Sequence, residues 1–508
     1  MLLTTMYYLK FQAIERDLTV CLCSVRRYYN ATPSAPIHRL HPELLEMIFN
    51  HLRDPPGSAR LIGPMDRPTA SYSPLARAMV VCHRWHAVIM QHASLWTEID
   101  FTTQRPKAVR DLLERSRSAC IVVRFGYPLL RDDAHTELMS LLRGHGHRTH
   151  RLEIEINWVK RTSEVLRLIT RPMPCLRHLA FRVQQAAPNV HQISVAHYPN
   201  LRSLTLMGIL LLPTEPVLFL THLYVTGHSP TETLLSLLTL LSFTPALESL
   251  ELSGIDWSMV GVVPKSYPIL PRLRVLKTTQ HCTEHVVDAF ISHLGHPILS
   301  DLTVTTVQPR GRSIPYLPET FVQAHTMTRL KITDTGHCGC GTLTLGSSGA
   351  RLTMDFPNDI GASLTGAHSW PSFLDDIEDA CISFDWDARV GKIAWLGSRV
   401  PKLKTLVIQC ARWNQLVLAA LASALRNTSP VYFPQLVFLG ISAPSATRED
   451  IDLLAPALAL RAQAVGHRLA ALKVQQSPEF VEDKYAVSEH VDRLEIVTRD
   501  SQTLWFPI

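Results

Sequence analysis

The sequence contains no uninterrupted apolar run of about 18 residues, the length a helix needs to cross a bilayer. The leucine stretch Leu210–Leu212 is broken by Pro213 and Glu215. The opening MLLTTMYYLKFQAIERDL begins apolar, but Lys10, Glu15 and Arg16 interrupt it early and no basic segment leads it, so a secretory signal is not expected. Dense Lys/Arg runs are missing too. The 50 basic and 44 acidic side chains leave a formal charge of +6 over 508 residues, a weak bias that gives no nucleic-acid footprint. Cysteine is scarce: ten residues, scattered and mostly beside apolar neighbours. That excludes a disulfide framework and reads as buried reduced thiols in a reducing compartment, cytoplasmic and/or nuclear. In such a compartment the sequons at Asn30 and Asn427 carry no meaning.

Recognisable chemistry is equally absent. There is no phosphate-binding Gly-Lys loop, no nucleophile elbow, no H-E-x-x-H and no dinucleotide fingerprint. The carboxylate pairs Asp132-Asp133 and Asp375-Asp376 read as solvated surface. The string His337-Cys338-Gly339-Cys340-Gly341 lacks a fourth ligand and a usual zinc spacing, so a tight glycine-rich loop is the simpler reading. His281 and His285, with Cys282, form a weaker set still. The expectation is a chain with no catalytic residues, no metal, no cofactor and no enzymatic activity.

What is present is core-forming: 46% hydrophobic residues against 19% charged. The length fits about three domains, or one small domain and a long repeat array. Residues 1–36 show no pattern and end in the linker ATPSAP. Residues 37–100 contain two helical regions separated by a Pro- and Gly-rich loop at about 53–72. From 101 to 508 short apolar strands alternate with helical stretches.

In the first helical region Leu40, Leu44, Leu45, Ile48, Phe49 and Leu52 form one apolar stripe, with Pro42 suited to the first turn. Ser73 and Pro74 signal a second helix start. Leu75, Met79, Cys82, Trp85 and Ile89 then recur at helical spacing to about Gln91. The string Leu40-His41-Pro42-Glu43-Leu44-Leu45-x-x-Ile48-Phe49-x-x-Leu52 resembles the opening of an F-box. Val80-Val81-Cys82-His83-Arg84-Trp85-x-x-Val88-Ile89, followed by Ser94-Leu95-Trp96, resembles its second half. The chain departs by placing His41 where the family has Pro and by lengthening the loop between the halves. The resemblance implies a three-helix module that docks on the Skp adaptor of a cullin-type ubiquitin ligase. The matching positions are Leu40, Pro42, Leu44, Leu45, Ile48, Phe49, Val81, Cys82 and Trp85, some of which must also form the module's own core.

Downstream, a Leu-x-x-Leu-x-apolar unit recurs, often after Pro, as in PCLRHLAF, PNLRSLTL, PALESLEL, PRLRVLKT, PKLKTLVI and PQLVFLGI. Its central leucines, Leu152, Leu179, Leu204, Leu223, Leu250, Leu276, Leu302 and Leu330, recur at the leucine-rich-repeat period, about 20–29 residues. Stretches between them read as helices: 231–241, 284–294 and 414–426. The expected fold class is α/β: a small helical F-box, then an irregular leucine-rich-repeat solenoid with a parallel sheet on its concave side. The repeats are irregular, and those at about 335–395 are poorly defined. The segment 107–125 resembles the helix and first strand that follow the F-box in large fungal families. The combination resembles F-box proteins with leucine-rich repeats expanded in mushroom-forming fungi.

This resemblance implies a substrate-recognition subunit of a Skp–cullin–F-box ubiquitin ligase, with an unknown target protein as second partner. The alternative is an interaction scaffold independent of any cullin ligase. In each repeat the residues flanking the central leucine point away from the core. His178, Thr205, Tyr224, Glu251, Lys277, Thr303 and Lys331 are the candidate target-binding row.

Overall fold

The computed structural model describes residues 39–52, 73–101, 106–126, 143–156, 171–183, 190–226, 230–255, 269–280, 299–306, 329–334, 341–347, 351–356, 372–384, 391–410, 415–427, 431–442, 444–477 and 485–498, with a few single positions and short runs besides. The chain divides into two compact units. The first holds Met1–Gln185 and Ile193–Thr205, the second Ala186–Gln192 and Leu206–Ile508.

The first unit opens with helices α1 (Pro42–Leu52), α2 (Ser73–Met79) and α3 (His83–Gln91), then a 3-10 turn at Ala93–Trp96. Strand β1 (Glu98–Asp100), helix α4 (Pro106–Arg115) and strands β2 (Ile121–Gly126), β3 (Thr149–Ile156) and β4 (His178–Val183) follow. The strands pair in parallel in the order β1-β2-β3-β4, with Leu152 opposite Leu179. The helical region expected from Ser73 to about Gln91 comprises two helices. Val80 and Val81, β-branched and poorly suited to a helix, occupy the break. Cys82 then turns extended, at φ −157° and ψ 165°, and its sulfur accepts from the Trp85 N–H to cap α3. Apolar spacing runs through the break and so conceals it.

Buried Arg148 ties the end of α4 to the start of β3. Its guanidinium donates to Ser116 Oγ and to the carbonyls of Ala119 and Leu113, each at 2.9 Å. These bonds satisfy the orphan carbonyls of the helix end and the turn after it.

Strands β5 (Val190–Ile193) and β6 (Ser203–Met207) include residues of both units, and β7 (Leu210–Pro213) lies in the second. The second unit continues with β8 (His222–Thr226), α5 (Pro230–Ser242), β9 (Ser249–Ile255), β10 (Val275–Gln280), β11 (Asp301–Thr306), β12 (Arg329–Asp334), β13 (Gly341–Gly346), β14 (Arg351–Phe356) and β15 (Asp379–Phe384). Then come α6 (Gly391–Arg399), β16 (Thr405–Cys410), α7 (Gln415–Arg426), β17 (Phe438–Ser442), α8 (Arg448–Asp452), α9 (Ala455–Val465), β18 (Ala471–Gln476) and β19 (Leu494–Thr498). α5 and α7 form where the sequence predicts helices. The helix expected at 284–294 lies, apart from Leu294, outside the described residues.

From β8 to β11 the central leucines stack as expected: Leu223, Leu250, Leu276 and Leu302 are register partners, each at most 2% exposed. Leu330 does not come next. The spatial order is β11-β14-β13-β12-β15, and β13 runs antiparallel to both of its neighbours. Leu352 takes the place beside Leu302, followed by Leu345 and then Leu330. The reason is connection length. A parallel neighbour needs a crossover of about a dozen residues or more, and the short links after β12 and β13 allow hairpins instead. Beyond β12 the parallel ladder resumes through Ala380, Leu406, Leu439, Leu472 and Leu494. No helix among the described residues is long and apolar enough to cross a membrane.

Candidate docking site

The apolar stripe of α1 divides into two faces. Leu45 and Phe49, one helical turn apart, are fully buried, and the Phe49 ring meets Trp85 of α3 edge-on at 5.2 Å. Leu44, Met47, Ile48 and Leu52 face outward and are 47%, 59%, 37% and 42% exposed. Three and four residues apart, they make a second apolar strip on the same helix. Val80, in the break between α2 and α3, is also exposed.

The inner face holds the module together. Leu75 and Ala78 of α2, Val88 and Ile89 of α3, and Leu95 and Trp96 of the 3-10 turn are all buried. The Trp96 indole donates to the Ile89 carbonyl at 2.8 Å, and the Arg115 guanidinium of α4 lies over its ring at 4.7 Å. Polar staples fix the angle of α1. Arg84 donates to the Leu40 carbonyl. Glu46 accepts from Ser94 Oγ at 2.5 Å and its other oxygen lies 2.7 Å from His92 Nδ1. Glu46→Ala removes an acceptor shared by two donors and is expected to cost about 1–3 kcal/mol. A lower thermal midpoint for the first unit, with α1 amides exchanging faster, is the measurement that checks it.

The nine candidate adaptor-binding residues therefore separate by environment. Leu45, Phe49 and Cys82 lie in the module's core, Leu44 and Ile48 on its surface, and Leu40, Pro42, Val81 and Trp85 are half-buried. Met47 and Val80 belong with the outward set by exposure. Sequence reasoning passed over Met47, although its place three residues after Leu44 was a signal, and named Val80 merely as part of the motif.

The candidate target-binding row is partly assembled. Tyr224, Glu251, Lys277 and Thr303 are register partners on adjacent strands, and all four are half-buried. Burial pushes the Glu251 carboxyl above its ordinary range, and Lys277 beside it pulls the other way. His178 is half-buried in β4, and Thr205 of β6 is buried at 7% exposure. Thr353 and Thr344 stand between Thr303 and Lys331, so Lys331 is not Thr303's neighbour as its place in the sequence suggests.

No group of three or more metal-ligating side chains occurs among the described residues. His281, Cys282, His285, His337, Cys338, Cys340 and the Asp132-Asp133 pair lie outside them. Gly341, the last residue of the glycine-rich string, begins β13. Asp376 is a surface carboxylate paired with Lys402 at 2.7 Å.

A search of the curated proteins finds no match to the chain. The F-box-like family model matches residues 37–102, the segment that spans α1 to β1. Domains of this family generally bind Skp-type adaptors, so the match indicates a role in ubiquitin-ligase adaptor or other protein interaction. The chain therefore carries an F-box-like domain at residues 37–102.

Proposed function

We propose that the chain is the substrate-recognition subunit of a Skp–cullin–F-box ubiquitin ligase. In this reading the outer strip of α1 docks the adaptor. The strands from β2 onward form a leucine-rich-repeat solenoid that presents a target protein. The chain performs no bond chemistry. It works by proximity, raising the effective concentration of target lysines at the ligase. The observation that carries the reading is an F-box-like match on a helix whose outward face is apolar and exposed. Helix-face docking draws its energy from a few such anchors. The leucine ladder from Leu223 to Leu302 supports the repeat half.

The test is affinity purification of the full chain from its native cell, with and without proteasome inhibition. The expected result is co-purification of the Skp adaptor and a cullin, with a further protein enriched under inhibition. Recovery of the adaptor without a cullin would favour the scaffold alternative, and recovery of neither would overturn the docking claim.

A further inference from the structure

Three segments of the first unit carry an unbalanced charge. Residues 143–152, 171–181 and 194–205 contain six arginines and five histidines and no aspartate or glutamate. In sequence they are separate, and no single one is a dense basic run. The fold brings them together at the entry ends of consecutive strands. The Arg177 N–H donates to the His150 carbonyl and the Arg202 N–H to the Arg177 carbonyl, each at 2.9 Å. These residues thus stack one strand spacing apart, about 4.8 Å.

The turns leading into the strands also interlock. The Met173 N–H donates to the His197 carbonyl at 2.8 Å, and the Asn200 side-chain amide donates to the Pro174 carbonyl at 2.8 Å. Gly146 sits against Met173, close enough that a Cβ there would lie 3.6 Å from it. Arg148 is buried in its structural role, while Arg143, His147, Arg171, Arg177 and Arg202 are exposed. The potential is felt inside the cluster. His150 is held below its ordinary pKa by burial first, then by Arg177 and Arg151, and His145 by burial, then by Arg148 and His147. The nearest carboxylate on β3, Glu153, is engaged by Arg151 at 2.7 Å and Arg124 at 3.6 Å.

We propose that this strand-entry edge of the first unit is a docking surface for an acidic peptide, with Arg177 and Arg202 at its centre and Arg143, His147 and Arg171 around them. The inference is independent of the adaptor reading and survives its failure. Guanidinium groups recognise carboxylate and phosphoryl oxygens through the same forked donors, so either anion on a peptide fits. A nucleic acid fits less well. The aromatic rings of Phe, Tyr and Trp in these segments, Phe181 and Tyr198, are buried and offer no stacking platform.

The experiment is fluorescence anisotropy with the full chain and three short peptides: a Glu-Ser repeat, its phosphoserine form and a Gln-Ser control. The acidic peptides are expected to bind, more weakly as salt is added, and the control is not. Preference for one acidic form identifies the anion as carboxylate or phosphoryl. The double variant Arg177→Gln/Arg202→Gln is expected to lose at least about tenfold in affinity with an unchanged circular-dichroism spectrum. Arg143→Gln/Arg171→Gln is a second pair should the first disturb the strand entries. Equal binding of the Gln-Ser control, unchanged binding by both variants, or a single-stranded oligonucleotide out-competing every peptide would overturn the proposal.

Discussion

Replacing Leu44 and Ile48 together by aspartate is expected to abolish adaptor capture while leaving the helical module folded. Both residues are exposed, at 47% and 37%, on the outer strip of α1. Surface changes of this kind stay within about 0.5 kcal/mol each, with a similar helix-propensity penalty for Asp. In a docked complex the same two side chains would be buried anchors, each worth about 1.5–3 kcal/mol. Losing both amounts to about a hundredfold or more in affinity, before the cost of burying two carboxylates is counted. The contrast is one residue away on either side. Phe49→Ala deletes a fully buried ring that meets Trp85 edge-on at 5.2 Å. It is expected to cost about 3–5 kcal/mol of stability, so it would lose adaptor by unfolding. An aspartate at Leu45 would fail as a docking test for the same reason. Titration calorimetry with the purified adaptor, run beside thermal unfolding of each variant, separates the cases. Wild-type affinity in a folded Leu44→Asp/Ile48→Asp protein would remove α1 from the interface.

That pair of faces also marks how far the sequence could be read. The spacing of Leu40 to Leu52 locates the helix, but periodicity reports which residues avoid water and not what covers them. The six-residue stripe therefore gave no sign of its division into core and surface. The break at Val80–Cys82 was hidden for a related reason: apolar spacing continued across it, and the cap is a cysteine, outside the usual N-cap residues. The leucine ladder was legible because one residue type recurs at a near-constant interval, and register follows from that interval. It failed at Leu330, where two short links reverse the spatial order of three strands. Spacing along the chain carries no information about such a reversal. The basic strand-entry edge was invisible in sequence because its members are spread from residue 143 to residue 202, and it emerges when parallel pairing stacks them.

Arg461 of α9 gives the largest stability effect expected in the second unit. It is 1% exposed, and one guanidinium nitrogen donates to the carbonyls of Leu436 at 2.7 Å, Phe433 at 3.1 Å and, more weakly, Pro434 at 3.5 Å. Those carbonyls belong to the turn that enters β17, where Phe433 holds a left-handed φ of 53°. A non-glycine residue there costs energy that its surroundings must offset. Arg461 thus fastens a strained turn to the helix that packs beside it. Burial also lowers its pKa to about 10, so the charge is carried at a desolvation cost. The sign follows: the unfolded chain holds this proton more tightly, and stability gains from this group only as pH rises above about 10, leaving it without pH dependence near neutrality. Arg461→Ala leaves the turn carbonyls without their donor and opens a cavity, at an expected cost of about 3–5 kcal/mol. Arg461→Met fills most of the volume without burying a charge, so it should cost less, about 1–3 kcal/mol for the lost donor. Chemical denaturation should rank wild type above Met above Ala, and hydrogen exchange should place the new openings at residues 431–442. If Met proved as damaging as Ala, packing would not contribute and the staple would be wholly polar. If neither variant lost stability, the turn would hold its conformation without Arg461.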